Sequence, residues 1–177
     1  HTIGGVMTIQ DSVNLGSVGP IIGQEYFKLK IATPGLDTNK EYNIDFTDNS
    51  FMITALRRRV DIGNGVQASV LHFSSRELTT NARQRVSRTL VGTYSDIVKK
   101  MLRTDLDSGK PFYVEDSVGN KKIVAPNAKP FDVIQVATKY AISRKYNDPT
   151  YIFWESMRGF NFRTLGNMYS KTPIITY

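Results

Sequence analysis

Residues 151–169, YIFWESMRGFNFRTLGNMY, constrain the fold more tightly than any other stretch, because they alternate with a period of two on either side of a turn. Tyr151, Phe153 and Glu155 alternate with Ile152, Trp154 and Ser156, the spacing that sends neighbouring side chains to opposite faces of a sheet. Met157, Arg158 and Gly159 interrupt the alternation, and Gly159 can take the positive φ that a reversal requires. Phe160, Phe162 and Leu165 follow on the return strand, with Asn161 and Arg163 on its other face. The pattern predicts an aromatic hairpin whose facing ring pairs add about 0.2 to 1 kcal/mol each relative to alanine pairs.

A lone hairpin is marginal in water, so its apolar face needs a cover. Residues 130–146, PFDVIQVATKYAISRKY, can supply one: Val133, Ile134, Ala137, Tyr140 and Ala141 recur at helical spacing. Pro130 suits a first turn, Asp132 complements the N-terminal dipole, and Lys139, Arg144 and Lys145 lie where cations are favoured. The helix is expected to end near Asn147, ahead of the break at Asp148-Pro149.

Upstream, the period of two recurs. GVMTIQ (5–10) has strand character and is followed by a loop carrying Gly16, Gly19, Pro20 and Gly23. Phe27, Leu29 and Ile31 alternate with Lys28 and Lys30, and Tyr42, Ile44 and Phe46 with Asn43 and Asp45. Residues 51–60 and 66–73 form a further pair, joined through an Asn64-Gly65 turn signal. After Ser74 the pattern changes. Ser74 with Glu77 matches a capping box, and residues 74–91 are polar and undecided between helix and strand. Thr93 with Asp96 opens a helix bearing Tyr94, Ile97, Val98, Met101 and Leu102 on one face. Residues 111–115 and 121–124 read as short strands around a turn at 118–120.

These elements predict a β-rich α+β fold: an antiparallel tube-like barrel or sandwich domain over residues 1–74, incomplete as it stands, and a mixed α+β domain over 75–177 with two amphipathic helices and the aromatic hairpin. The chain opens at His1 rather than methionine and reads as a fragment or a trimmed form. No apolar run reaches membrane-spanning length.

The residues offer little chemistry. Without cysteine there is no disulfide framework, thiol nucleophile or cysteine-ligated zinc. Of two histidines, His1 is terminal and His72 lies in a strand, where it reads as a packing residue. Neither a nucleophile elbow nor a phosphate-binding loop is present. Asp105-Leu106-Asp107-Ser108-Gly109 begins like a calcium loop but puts glycine where an oxygen ligand belongs and Lys110 where the turn glycine belongs. Asp45 and Asp48 flank a turn. No catalytic, cofactor-binding or metal-ligating residue is assigned.

Charge is more telling. The net charge is +7, from 23 Lys and Arg against 16 Asp and Glu. In a strand, Arg57 and Arg59 share one face and Arg58 takes the other, which fits an edge strand guarded against aggregation, a subunit interface or a phosphate contact. Arg83, Arg85, Arg88, Lys99 and Lys100 are candidates for a DNA-facing surface, nonspecific because no nucleic-acid module is recognisable. Candidate interface anchors are Arg57, Arg59, Trp154 and Arg158, with Trp154 also readable as a core residue.

Taken in order, GVMTIQDS, EYFKLKIAT, the FMITALRRRVDIGNGVQASVLHFSSREL hairpin, TYSDIVKKML, and PFDVIQVATKY leading into YIFWESMRGFNFRTL resemble the baseplate central hub proteins of T-even-type contractile-tailed phages and, more distantly, the late control protein D family. The resemblance implies a structural, non-enzymatic subunit of the virion's tail baseplate, assembled in the host cytoplasm. It implies trimers whose tube-like β domains form a ring adapting tail tube to central spike around the DNA passage. Residues 1–74 then correspond to most of a first tube-like domain, and a second one lies beyond this sequence. Two other readings follow from composition and context: a stand-alone basic nucleic-acid-binding protein, or a tail-associated hydrolase of cell-wall polymers.

Overall fold

A computed structural model describes residues 2–13, 19, 21, 25–35, 43–63 and 65–172. The chain divides into two compact units, Thr2–Thr79 and Thr80–Tyr177. The β-rich α+β class expected from the alternation holds. Tyr42, Asn64, and Gly16, Pro20 and Gly23 of the expected loop lie outside the described residues.

The first unit contains β1 (Gly4–Asp11), β2 (Tyr26–Phe27), β3 (Lys30–Ile31), β4 (Ile44–Asp45), β5 (Phe51–Asp61) and β6 (Gln67–Ser75). Its main sheet has the order β1-β6-β5-β2, all antiparallel, and β3 pairs with β4 in a separate ladder. Between β1 and β6 the register runs unbroken from Gly4↔Ser74 to Asp11↔Gln67. Between β5 and β6 it shifts twice, at Ile53/Ala55 and Arg57/Val60, and such irregularities add local twist. The result is a curled half-barrel. Its turn is held where Asp61 Oδ1 accepts from the Gly63 amide at 2.8 Å. Four phenylalanines fill one end: Phe51, almost wholly buried, has the rings of Phe27, Phe46 and Phe73 at 5.7, 5.0 and 5.1 Å. Phe73 sits directly opposite Gly5, where a Cβ would come 2.6 Å from the ring. Glycine is there because the ring occupies the space.

Helix α1 (Arg76–Arg83) leads into the second unit. There β7 (Val86–Gly92) pairs with β9 (Lys121–Ala128), and β10 (Tyr151–Ser156), β11 (Gly159–Thr164) and β8 (Phe112–Val114) form a three-stranded sheet in that order, with β8 parallel to β11. Three helices complete the unit: α2 (Tyr94–Lys100), α3 (Pro130–Tyr140) and the short α4 (Leu165–Tyr169). Thr93 caps α2 by accepting from the Asp96 amide at 3.1 Å, as the sequence suggested. At its other end α2 widens into a π-helical turn, Met101–Asp105, closed by Leu106 N–H donating to the Met101 carbonyl. That turn directs Met101, Leu102 and Leu106 into a core shared with Val133, Ile134 and Ala137 of α3. On the hairpin, Tyr151 stacks on Phe162 at 4.4 Å and Phe153 on Phe160 at 5.6 Å, while Phe131 of α3 reaches Phe153 at 5.9 Å. Burying each such ring stabilises the unit by about 1.5 to 3 kcal/mol, so α3 and the hairpin hold each other in place.

Several local expectations are corrected. The helix from Pro130 stops at Tyr140, and Ala141 is extended at ψ 145°. Beyond it, Arg144 N–H donates to the Asp116 carbonyl and Ser143 bridges to Ser117, distant partners that outcompete the next helical turn, while Ser143 N–H closes a local turn on the Asp148 carbonyl. Residues 111–115 and 121–124 do form strands, as expected, but in different sheets: β8 joins β11, and β9 joins β7. Ser74 makes no capping box, because β6 runs on through Ser75 and the Ser74 hydroxyl is buried without a partner. The undecided stretch divides into α1 and β7, and Leu165 opens α4 rather than continuing the return strand.

Candidate functional surfaces

Strand β5 carries the arginine triplet. Arg57 is exposed and stands opposite Val70. The register shift after Arg57 breaks simple alternation, and Arg59, also exposed, lines a cavity of about 240 Å³ walled by Ile9, Val13, Ile21 and Leu56. Beyond Ile53, no described residue pairs with β5 on the side away from β6, and the outer edge of β1 has no described partner either.

The hairpin presents two different faces. Inward lie the stacked rings and Glu155, whose buried carboxylate meets Lys110 Nζ at 2.5 Å, with that ammonium 5.5 Å from the centre of the Phe160 ring. Outward lie exposed Ile152 and half-buried Trp154, the latter opposite Asn161. Beside them the Arg163 guanidinium lies 5.2 Å from the centre of the Tyr113 ring. Arg158 is exposed in the turn. Trp154 is therefore neither fully core nor free.

The five cations suggested for a DNA-facing surface do not act alike. Arg83 is exposed. Arg85 donates to the carbonyls of Ala82 and Gln84 at 3.1 and 2.9 Å. Arg88 is bound at 2.6 Å to the buried Asp105 carboxylate. Lys99 and exposed Lys100 instead line a hollow of about 340 Å³ with Arg103, Thr104 and Phe112, and the Arg103 guanidinium lies 5.3 Å from the centre of the Phe112 ring. Arg103, a cation expected in the last turn of the same helix, was not among the DNA-facing candidates; its signal is the four-residue spacing from Lys99, which sets both on one helical face.

Also unforeseen is a polar clasp at the end of β8. Glu115 accepts from the Thr164 amide at 2.8 Å, from the Thr164 hydroxyl at 3.0 Å and from the Ser143 hydroxyl. Ser95 and Ser117 exchange amide-to-hydroxyl bonds at 3.0 and 3.3 Å, and Ser117 bridges to Ser143. Tyr151 donates to the Glu115 and Asp116 carbonyls, and burial, reinforced by the Glu115 carboxylate, pushes its phenol well above the ordinary tyrosine value. A carboxylate so fully engaged with donors ties strands together rather than moving protons. His72 is half-buried in β6 opposite Val6 and Ala55. Among the described residues there is no group of three His, Asp or Glu placed to hold a metal ion, and no helix is long and apolar enough to cross a membrane.

No family model matches the chain. Over 174 residues it is 25% identical to the probable baseplate hub protein gp334 of Vibrio phage KVP40, an alignment taking in 96% of this chain and 39% of that protein. The chain thus spans about two fifths of the length of the curated relative it matches, and it is similar, over nearly all of its own length, to a protein named as a phage baseplate hub.

Proposed function

We propose that this chain is a structural part of a phage tail baseplate hub, acting in the virion after assembly in the host cytoplasm. The similarity to the Vibrio phage hub protein along almost the whole chain carries this reading. Residues 1–74 act as most of a tube-like β domain and residues 75–177 as a mixed domain. Three copies form a ring that adapts tail tube to spike around the DNA passage. In its support, the curled sheet leaves the outer edge of β1, and the edge of β5 away from β6 beyond Ile53, unpaired among the described residues, and unpaired strand edges are templates for joining another chain. Arg57 and Arg59 stand exposed on β5, and Trp154 and Arg158 offer a second set of anchors on the hairpin. Such a role needs no catalytic group.

Light scattering across a concentration series, on the chain alone and mixed with tail tube and spike proteins, tests the proposal. A trimer in either condition, weakened by Arg57→Glu with Arg59→Glu, is the expected result. Monomers throughout, with no mass gained from either partner, would overturn the hub assembly.

A further inference from the structure

The positive charge of this protein belongs almost entirely to one of its units. Residues 80–177 hold 16 of the 23 Lys and Arg and 8 of the 16 Asp and Glu, a balance of +8, whereas residues 2–79 hold 7 and 8, a balance of −1. The arginine triplet of β5 therefore lies in a unit with no net attraction for a polyanion. Within the second unit, Asp105 is neutralised by Arg88 and Glu155 by Lys110, so two of its carboxylates are already paired.

We infer that the hollow formed by Lys99, Lys100, Arg103, Thr104 and Phe112 binds the phosphodiester backbone of a nucleic acid, without regard to sequence. Its lining has three cations, a hydroxyl donor and no carboxylate. Lys99 has Asp116 at 3.4 Å, but both side chains are largely solvated, and a phosphate replaces such a partner readily. Arg103 lies over the Phe112 ring, an arrangement that leaves the fork of its guanidinium free for bidentate phosphate contact. Placing Lys99 and Arg103 one turn apart sets like charges side by side, and a phosphate between them turns that repulsion into attraction. The end of α2 tolerates cations because helix carbonyls point there, but this accounts for neither the hollow nor the lack of acidic lining. Exposed Lys121, Lys122, Arg144 and Lys145 extend the positive field over the unit, and a field so spread favours a ligand charged along its length over an acidic protein patch. The inference stands independently of the baseplate reading.

Fluorescence anisotropy with a labelled DNA duplex, titrated between about 50 and 200 mM salt, provides the test. Binding should fall steeply with salt. The variant Lys99→Ala/Lys100→Ala/Arg103→Ala should weaken it at least tenfold at low salt and flatten the slope of log affinity against log salt by about 2.7, three released counterions at 0.9 each. Lys99→Gln/Lys100→Gln leaves the Arg103–Phe112 contact in place and should flatten the slope by about 1.8. Lys28→Ala/Lys30→Ala, which removes two exposed cations of the first unit, should bind as the parent does. No binding at low salt, an unchanged slope in the Lys99/Lys100 variant, or equal competition by polyglutamate at matched charge would each overturn the inference.

Discussion

Lys110 Nζ lies 2.5 Å from Glu155 Oε1 with both side chains almost completely buried, so an ion pair ties the segment ahead of β8 to the first strand of the hairpin. Removing one partner leaves an uncompensated charge out of water, at a cost of about 3 to 5 kcal/mol. Glu155→Gln should lose stability in that range by urea unfolding. Replacing both residues with methionine should recover most of the loss, since two well-packed apolar side chains leave no charge behind. A double variant as unstable as the single one would show that the pair matters for more than charge balance.

Gly159 is fixed by space as well as by conformation. Its φ is +127°, and a Cβ there would lie 2.2 Å from the Pro111 carbonyl oxygen, the atom that accepts from Phe160 N–H at 3.0 Å. Gly159→Ala must therefore push β8 away from β11 and should lower stability by about 2 kcal/mol or more. Gly109→Ala, where a Cβ meets nothing within 4 Å and φ is not positive, should be within about 0.5 kcal/mol of the parent. Thermal melts of the two variants make the comparison.

Burial holds the Tyr151 phenol neutral above its ordinary value of 10, with the Glu115 carboxylate adding to the effect. Because the folded-state value is raised, this contribution is fully present below pH 10; above it the unfolded chain sheds the proton first, and stability falls. Urea unfolding above pH 10 should show a decline that is shallower in Tyr151→Phe. At neutral pH that variant should lose about 1 kcal/mol with the hydrogen bonds to the Glu115 and Asp116 carbonyls. An identical alkaline decline in both proteins would refute the assignment.

Phe51 is the centre of the ring cluster in the first unit, touching Phe27, Phe46 and Phe73. Phe51→Ala should cost about 3 to 5 kcal/mol and open the half-barrel. Hydrogen exchange should then lose protection in β1 and β6 while β10 and β11 keep theirs, as their core is built from different residues. Equal loss of protection in both units would mean that they unfold as one.

The hairpin at 151–164 was legible because its information is local: alternating rings and a glycine at the reversal are written within fourteen positions, although the turn is Met157 and Arg158 alone, with Gly159 already paired to Ser156. The start of α2 was legible for the same reason, since Thr93 and Asp96 cap across three residues. Strands β1, β5 and β6 followed from the same alternation, whereas the single strand it suggests over residues 25–33 is broken into β2 and β3, which join different ladders. The curl of the half-barrel did not follow, because the register shifts opposite β6 depend on how two strands settle against each other. The end of α3 at Tyr140 was hidden, since Arg144 bonds to Asp116 and Ser143 bridges to Ser117, partners that only folding brings near. The parting of β8 from β9 was hidden too, as no periodicity names the strand a segment will join. Charge divides the same way: composition established that the chain is basic, but which cations gather at the hollow was decided by Asp105 claiming Arg88 and by Phe112 of β8 coming against Arg103 beside Lys99 and Lys100. Periodicity and capping act within a few residues and determine elements; hydrogen bonds, ion pairs and ring contacts between distant residues determine where elements stop, which neighbours they choose and which side chains are left to meet a partner.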